Sequence, residues 1–285
     1  MPTQIPYSAR KEDLYHPCHQ DAVFFPDGRP DTLEALCAEL SRLVYGKFES
    51  TDHDKQKVLG ILRGIGFGTT AFFSVTATAT QGFLTTDTTQ HLSVLAFRGT
   101  EGDDPTDLAT DATALLTQWE SGGRVHQGFA HALLDTWPTI QSLLESVEQT
   151  LLFTGHSLGA ALATLAASKH RPTRLYTFGS PRVGDAAFTS TLAGVDVQRY
   201  VDCCDIVCRI PPEILGYHHV GTVQYINRDG VRKTNPAAAE IREDRARGRE
   251  EYVLQYAWKI GNVAVRELAD HAPVNYVSGI IGRVL

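Results

Sequence analysis

The stretch TLLFTGHSLGAALATLAASKH (residues 150–170) constrains this chain more than any other. A short apolar run leads into Gly155-His156-Ser157-Leu158-Gly159, and helix-forming residues follow at once. A strand that turns into a helix within so few residues needs glycine wherever a Cβ would meet backbone. Ala160, Ala161, Ala163, Ala166 and Ala167 carry only methyl groups, so this helix can lie close on a sheet. Its N-terminus would aim backbone N–H groups and a positive dipole end at the Ser157 oxygen. The pattern therefore has two readings: a nucleophile elbow carrying Ser157, or a tight turn with a serine helix cap.

Flanking periodicity supplies the context. Residues 31–46 have helical apolar spacing with an Asp/Thr start and a glycine stop. Residues 70–86 and 91–97 read as strands around a polar turn, and 107–119 as a short amphipathic helix. A helix is expected over 125–144, interrupted near Pro138. From residue 150 the pattern alternates: strand 150–153, helix 158–169, strand 174–178, helix 184–192, strand 197–201. Residues 220–227 read as a hairpin arm and 237–269 as a long helical segment before the last histidine loop. Strand–helix alternation implies an α/β fold with a mostly parallel central sheet and helices on both faces. With no repeat and no linker, residues 1–285 are expected to form a single domain.

Charge and composition exclude some functions. A formal net charge of −7 argues against a nucleic-acid partner, which calls for a basic face. The longest uncharged run, residues 64–86, is rich in Thr and Gly, so no transmembrane segment is expected. The first residues contain no apolar leader core, and the cysteine count of five is odd. Both point to reduced thiols and a cytoplasmic protein. Cys203, Cys204 and Cys208 lack the paired C-x-x-C spacing of zinc sites, so no metal is expected.

A serine at its free pKa is a poor nucleophile and needs a base, itself oriented by an acid. The histidines after Ser157 are His170, His218, His219 and His271. His170 ends the elbow helix and faces away, while His218 and His219 follow a double proline. His271 lies in a short loop near the C-terminus. Asp205 follows the strand QRYV, with Asp202 and Asp196 as rivals.

Several blocks, in order, resemble the class 3 lipase family of α/β-hydrolases, which includes fungal triacylglycerol lipases and plant acylhydrolases. They are ELSRLVYG (39–46), AFRGT (96–100), VHQGF (125–129), TGHSLGAALA (154–163), YTFGSPRVGD (176–185), DIVCRIPP (205–212) and DHAPVNY (270–276). The resemblance implies an α/β-hydrolase fold with Ser157 as nucleophile, His271 as general base and Asp205 as the orienting carboxylate. It implies an oxyanion hole from the backbone N–H groups of Thr100 and Leu158, with His156 as a packing and hydrogen-bonding residue. No cofactor is called for. The implied function is serine carboxylic-ester hydrolysis through an acyl-enzyme, on an acyl-ester or lipid substrate, with transient contact at a lipid interface. A phospholipase A1-like acylhydrolase is the alternative, and a non-catalytic hydrolase-fold binding protein is a further one.

The chain also departs from the family. Residues 101–124 occupy the place of a lid but begin acidic and polar; a lid for small esters and a plain surface loop both fit. Three cysteines stand in an acid loop where proline is common, and are read as inert buried thiols. The segment 237–269 is longer than its fungal counterpart; core packing, a cap on the pocket and contact with a membrane surface are its three readings.

Overall fold

The computed structural model describes residues 5–19, 28–100 and 115–284. Its centre is an eight-stranded sheet, here numbered along the chain. The strands are β1 (Thr69–Val75), β2 (Thr80–Asp87), β3 (Leu92–Phe97), β4 (Thr150–His156), β5 (Arg174–Phe178), β6 (Asp196–Asp202), β7 (Thr222–Ile226) and β8 (Arg232–Thr234). Their order across the sheet is β8-β7-β6-β5-β4-β3-β2-β1. The strands β3 to β7 pair in parallel, and antiparallel hairpins close both edges.

Side-chain alternation divides the core into two layers. Leu92, Val94 and Ala96 of β3 and Leu152 of β4 face one cluster. That cluster is covered by the helices Leu33–Leu43 and Pro273–Ile281. Leu95 and Phe97 of β3 and Leu151 and Phe153 of β4 face the other cluster, under the helices Gln127–Leu144 and Leu158–Lys169. Burial on both faces explains why these strands read as continuous apolar runs.

Three expectations need correction. Residues 116–118 are not helical: Leu116–Gln118 is a strand paired with Arg124–His126, closed by Gly122 and Gly123 at positive φ. The rest of that expected helix, and most of the candidate lid, lies outside the described residues. The helix Gln127–Leu144 runs through Pro138 without a break. Pro138 and Leu134 are both exposed, so water can take the carbonyl that proline leaves without a donor. Finally, the segment 237–269 is two helices, Ala238–Gln255 and Arg266–Ala269, separated by a tight turn region. The buried residues of the long helix, Asp244, Gly248 and Tyr252, form a single row at four-residue spacing. A glycine at Gly248 lets the backbone approach closely, since a Cβ there would lie 2.9 Å from Arg266 and 3.2 Å from the Cys203 sulfur.

Candidate active site

Ser157 sits between the end of β4 and the helix Leu158–Lys169 with φ 57° and ψ −127°, a strained conformation for a residue with a Cβ. The two flanking glycines make this turn sterically feasible. A Cβ on Gly155 would lie 2.3 Å from the Gly159 backbone, and one on Gly159 would lie 2.2 Å from the Phe97 carbonyl. The elbow thus locks β4, its own helix and the end of β3 together. Helix termini leave their first N–H groups without intrahelical partners, and the Leu158 N–H is the first here. Gly99 touches the elbow from the other side: a Cβ there would be 3.2 Å from the Ser157 Cβ and 2.7 Å from the His156 carbonyl. Thr100 follows it and is exposed.

The structure brings Ser157, His271 and Asp205 together. His271 Nε2 lies 2.9 Å from the Ser157 hydroxyl, and Nδ1 lies 2.9 Å from an Asp205 carboxylate oxygen. Nδ1 must donate to the carboxylate, so Nε2 is left to accept the serine proton. All three side chains are buried. Asp205 also accepts from the Val207 N–H at 2.8 Å and from the Tyr276 hydroxyl at 2.5 Å. The Cys208 thiol reaches it at 3.6 Å. Burial alone would push this carboxyl up, but the facing His271 and the hydrogen bonds from His271 and Tyr276 outweigh it and hold the carboxyl below its ordinary value. Gly179, with φ 61°, lies directly beneath; a Cβ there would sit 3.0 Å from Asp205 and 3.1 Å from His271.

His156 has its own task. Its Nε2 is 2.8 Å from the His271 carbonyl, which only accepts, so this nitrogen carries the proton. Its Nδ1 then accepts from the Tyr45 hydroxyl at 2.9 Å. Burial, with His271 beside it, pushes the His156 pKa well down, so the ring is neutral. The nucleophile strand is tied in this way to the backbone of the base loop. Sequence reasoning named His156 but not its partner Tyr45, which lies just past the C-terminal end of the helix Leu33–Leu43; no local signal points to that pairing.

The other candidates fall elsewhere. His170 caps the far end of the elbow helix and is exposed. His218 is exposed, and its N–H bonds the Gly184 carbonyl. His219 donates to the Cys208 carbonyl at 2.8 Å, steadying the acid loop from below. Asp202 is a buried ion-pair partner of Arg283. Asp196 pairs with Arg174 at the opposite end of β6.

Cys203, Cys204 and Asp270 form the metal-compatible group found among the described residues. Their donors are already committed. Asp270 accepts from Arg266, Tyr7 and the Cys204 N–H, and Cys203 contacts Asp244 at 3.3 Å. The hydrogen bond with the Cys204 thiol, and after it burial, push the Cys203 thiol far up, which favours the protonated form over a thiolate ligand.

The parallel sheet, the elbow on its central strand and the helices on both faces define the α/β-hydrolase fold. The pattern of the class 3 lipase family, Lipase (class 3), matches residues 94–215, and over that stretch the chain is similar to that family. Among its relatives, the Rhizopus niveus lipase is 31% identical over 180 residues, covering 57% of this chain and 45% of that one. The secreted mono- and diacylglycerol lipase A of Penicillium camembertii is 34% identical over 172 residues, covering 54% of each. The chain spans about half the length of the curated relatives it matches. Among solved structures, Rhizopus niveus lipase II superposes with a TM-score of 0.51 at 28% identity, covering 58% of this chain and 69% of that one. A Rhizopus microsporus var. chinensis lipase gives 0.51 at 28% identity, covering 60% and 64%.

The cytoplasmic expectation is corrected by these relatives, several of which are named secreted lipases. The cysteine argument fails for a physical reason. Four of the five thiols are buried, so an odd count of unpaired cysteines carries no information about the redox compartment.

Proposed function

We propose that this protein is a serine carboxylic-ester hydrolase acting on acyl esters of the lipid class. The observation that carries this reading is the unbroken chain of hydrogen bonds from the Ser157 hydroxyl through His271 to Asp205, starting at a strained elbow on a helix N-terminus.

In this reading His271 Nε2 takes the Ser157 proton as Oγ attacks the ester carbonyl. The resulting imidazolium is stabilised by Asp205, which the Val207 N–H and the Tyr276 hydroxyl keep ionised and fixed. The Leu158 and Thr100 N–H groups are the proposed oxyanion donors; each such donor is typically worth about 10²–10³ in rate. His271 then gives its proton to the leaving alcohol. A water, deprotonated by the same nitrogen, releases the acid from the acyl-enzyme. Residues 1–285 act here as one catalytic unit. Relatives named mono- and diacylglycerol lipases support glycerol esters as substrates.

The test is hydrolysis of p-nitrophenyl esters of increasing acyl length, and of a phospholipid, by the parent and by Ser157→Ala. The variant should lose about 10⁶ in kcat. A Ser157→Ala protein as active as its parent would sink the assignment. Preference for the phospholipid would favour a phospholipase A1-like enzyme over a glyceride lipase.

A further inference from the structure

The last turn of the helix Ala238–Gln255 and the segment joining it to Arg266–Ala269 present large apolar side chains to solvent. Ile260 is fully exposed, Leu254 is 77% exposed, Trp258 71% and Val253 59%. This is not a frayed end, because the turn is tied down. The Lys11 N–H bonds the Gly261 carbonyl at 2.9 Å, and the Val263 N–H bonds the Ala9 carbonyl at 2.8 Å. The Tyr252 hydroxyl holds the Val263 carbonyl at 2.7 Å, and the Trp258 indole N–H donates to the Leu254 carbonyl at 3.0 Å. A built turn that holds apolar side chains outward is a tip shaped for insertion, not a groove shaped to receive a peptide.

The fringe of the tip is cationic. Lys259 lies over the Trp258 ring at 5.7 Å and the Tyr256 ring at 5.2 Å. Arg10 bridges to Asn262, and Lys11 bonds Gly261; all three cations are exposed. Of the acids nearest in sequence, Glu12 pairs with His19, Asp13 bonds Ser8, Glu251 pairs with Arg228 and Glu267 with Arg249, while Glu250 is exposed one turn before Leu254 and offsets one of the three cations. A chain with a net charge of −7 therefore carries a locally basic, apolar projection.

The tip also has a definite place relative to Ser157. Residues 5–9 run along the helix Pro273–Ile281, from Ile5 beside Arg283 to Ser8 beside Asn275 and Tyr7 beside Asp270. Arg10 and the tip it meets therefore lie beyond the N-terminal end of that helix, the end that carries His271.

The geometry points to a docking surface for anionic phospholipid: Trp258, Ile260 and Leu254 enter the interface while Arg10, Lys11 and Lys259 contact headgroup phosphates. Aromatic rings with an apolar body and basic side chains with long stems are the residues that settle at that depth. The surface deepens the lipid-ester reading and rests on it, since docking there turns the His271 end of the molecule toward the membrane.

The test uses the Ser157→Ala protein, so that hydrolysis does not alter the vesicles. Co-sedimentation is measured with vesicles of phosphatidylcholine alone and of phosphatidylcholine with about one-third phosphatidylglycerol, alongside the tryptophan emission maximum, with the Trp258→Ser/Ile260→Ser protein giving the contribution of Trp119 and Trp137. The expected result is stronger binding to the anionic vesicles, with a blue shift. Binding should weaken about 10-fold in Trp258→Ser/Ile260→Ser and about fivefold in Lys259→Gln. In the Ser157 background, the same tip variants should hydrolyse soluble p-nitrophenyl acetate like the parent. Equal binding by the parent and the Trp258→Ser/Ile260→Ser variant would overturn the proposal, as would equal binding to both vesicle types. Loss of soluble-ester activity in the parent would sink the hydrolase reading instead, so the two failures are distinguishable.

Discussion

Two helices of this molecule have almost no sidedness in their sequences, for opposite reasons. Leu158–Lys169 is apolar nearly all round and is buried nearly all round, from Gly159 to Ala167. It lies between the sheet and the helix Gln127–Leu144, so no face meets water. Ala238–Gln255 is polar nearly all round and fully buries one row: Asp244, Gly248 and Tyr252. In that row Asp244 accepts from the Tyr225 hydroxyl at 2.8 Å, the Arg228 N–H at 3.0 Å and the Arg228 guanidinium at 3.1 Å. The first helix is held by close backbone contact and burial, the second by a few directed polar bonds. A helix without an amphipathic pattern is either wholly enclosed or held by something other than an apolar stripe.

The comparison can be broken in several places. The largest expected effect lies at the site the first helix serves: Asp205→Asn should lower kcat for a soluble ester by about 10⁴, because the base loses the partner that fixes its tautomer. A loss under tenfold would show that the acid comes from elsewhere. Next, Gly159→Ala should cost about 3 kcal/mol in urea unfolding, since the new methyl meets the Phe97 carbonyl and the helix cannot retreat. A neutral result would mean that the close packing is not what holds this helix.

On the second helix the effects are smaller and more local. Asp244→Ala should cost about 2 kcal/mol by stranding the Tyr225 and Arg228 donors. Arg247→Ala, three residues on and exposed, should leave the urea midpoint unchanged despite its ion pair with Glu243. Equal effects at the two positions would erase the distinction between a seated row and a solvated face.

The pH dependence is the gentlest probe. His156 and His219 are held well below the ordinary value of 6.5, first by burial. At these two rings the unfolded chain therefore binds more protons than the folded one just below pH 6.5, so their contribution to stability should fall as pH drops through that value. Urea melts at pH 7.5 and 5.5 would show this, and His156→Gln should flatten the slope. Asp202, whose carboxyl burial pushes up to about 7, takes a proton over the same span and acts in the opposite direction, so the deciding comparison is parent against variant: a slope left unchanged by His156→Gln would contradict a neutral, buried ring.

The elbow was legible because its demands are steric and local. Two glycines, a row of alanines and an apolar strand leave little else for residues 150–169 to be. Asp205 and His271 were reachable because chain order narrows the choice of partners. The helix break after Gln255 was not legible, because YVLQYAWKIGNVAV reads as a buried face. In the structure Tyr252 and Val263 are enclosed while Leu254, Trp258 and Ile260 face out, and apolar spacing cannot tell a face that meets protein from one that meets solvent. Asp244 was equally hidden, since a buried carboxylate looks in sequence like one more member of a charged run.

The bond from His271 to Ser157 joins residues 114 apart in sequence. During synthesis the elbow leaves the ribosome long before its base does. Until residues 270–276 arrive and dock, the serine has no proton acceptor, and the His156 ring has no carbonyl to hold. In the proposed mechanism, a nascent chain therefore carries its elbow in an inert form until the segment just before the helix Pro273–Ile281 docks.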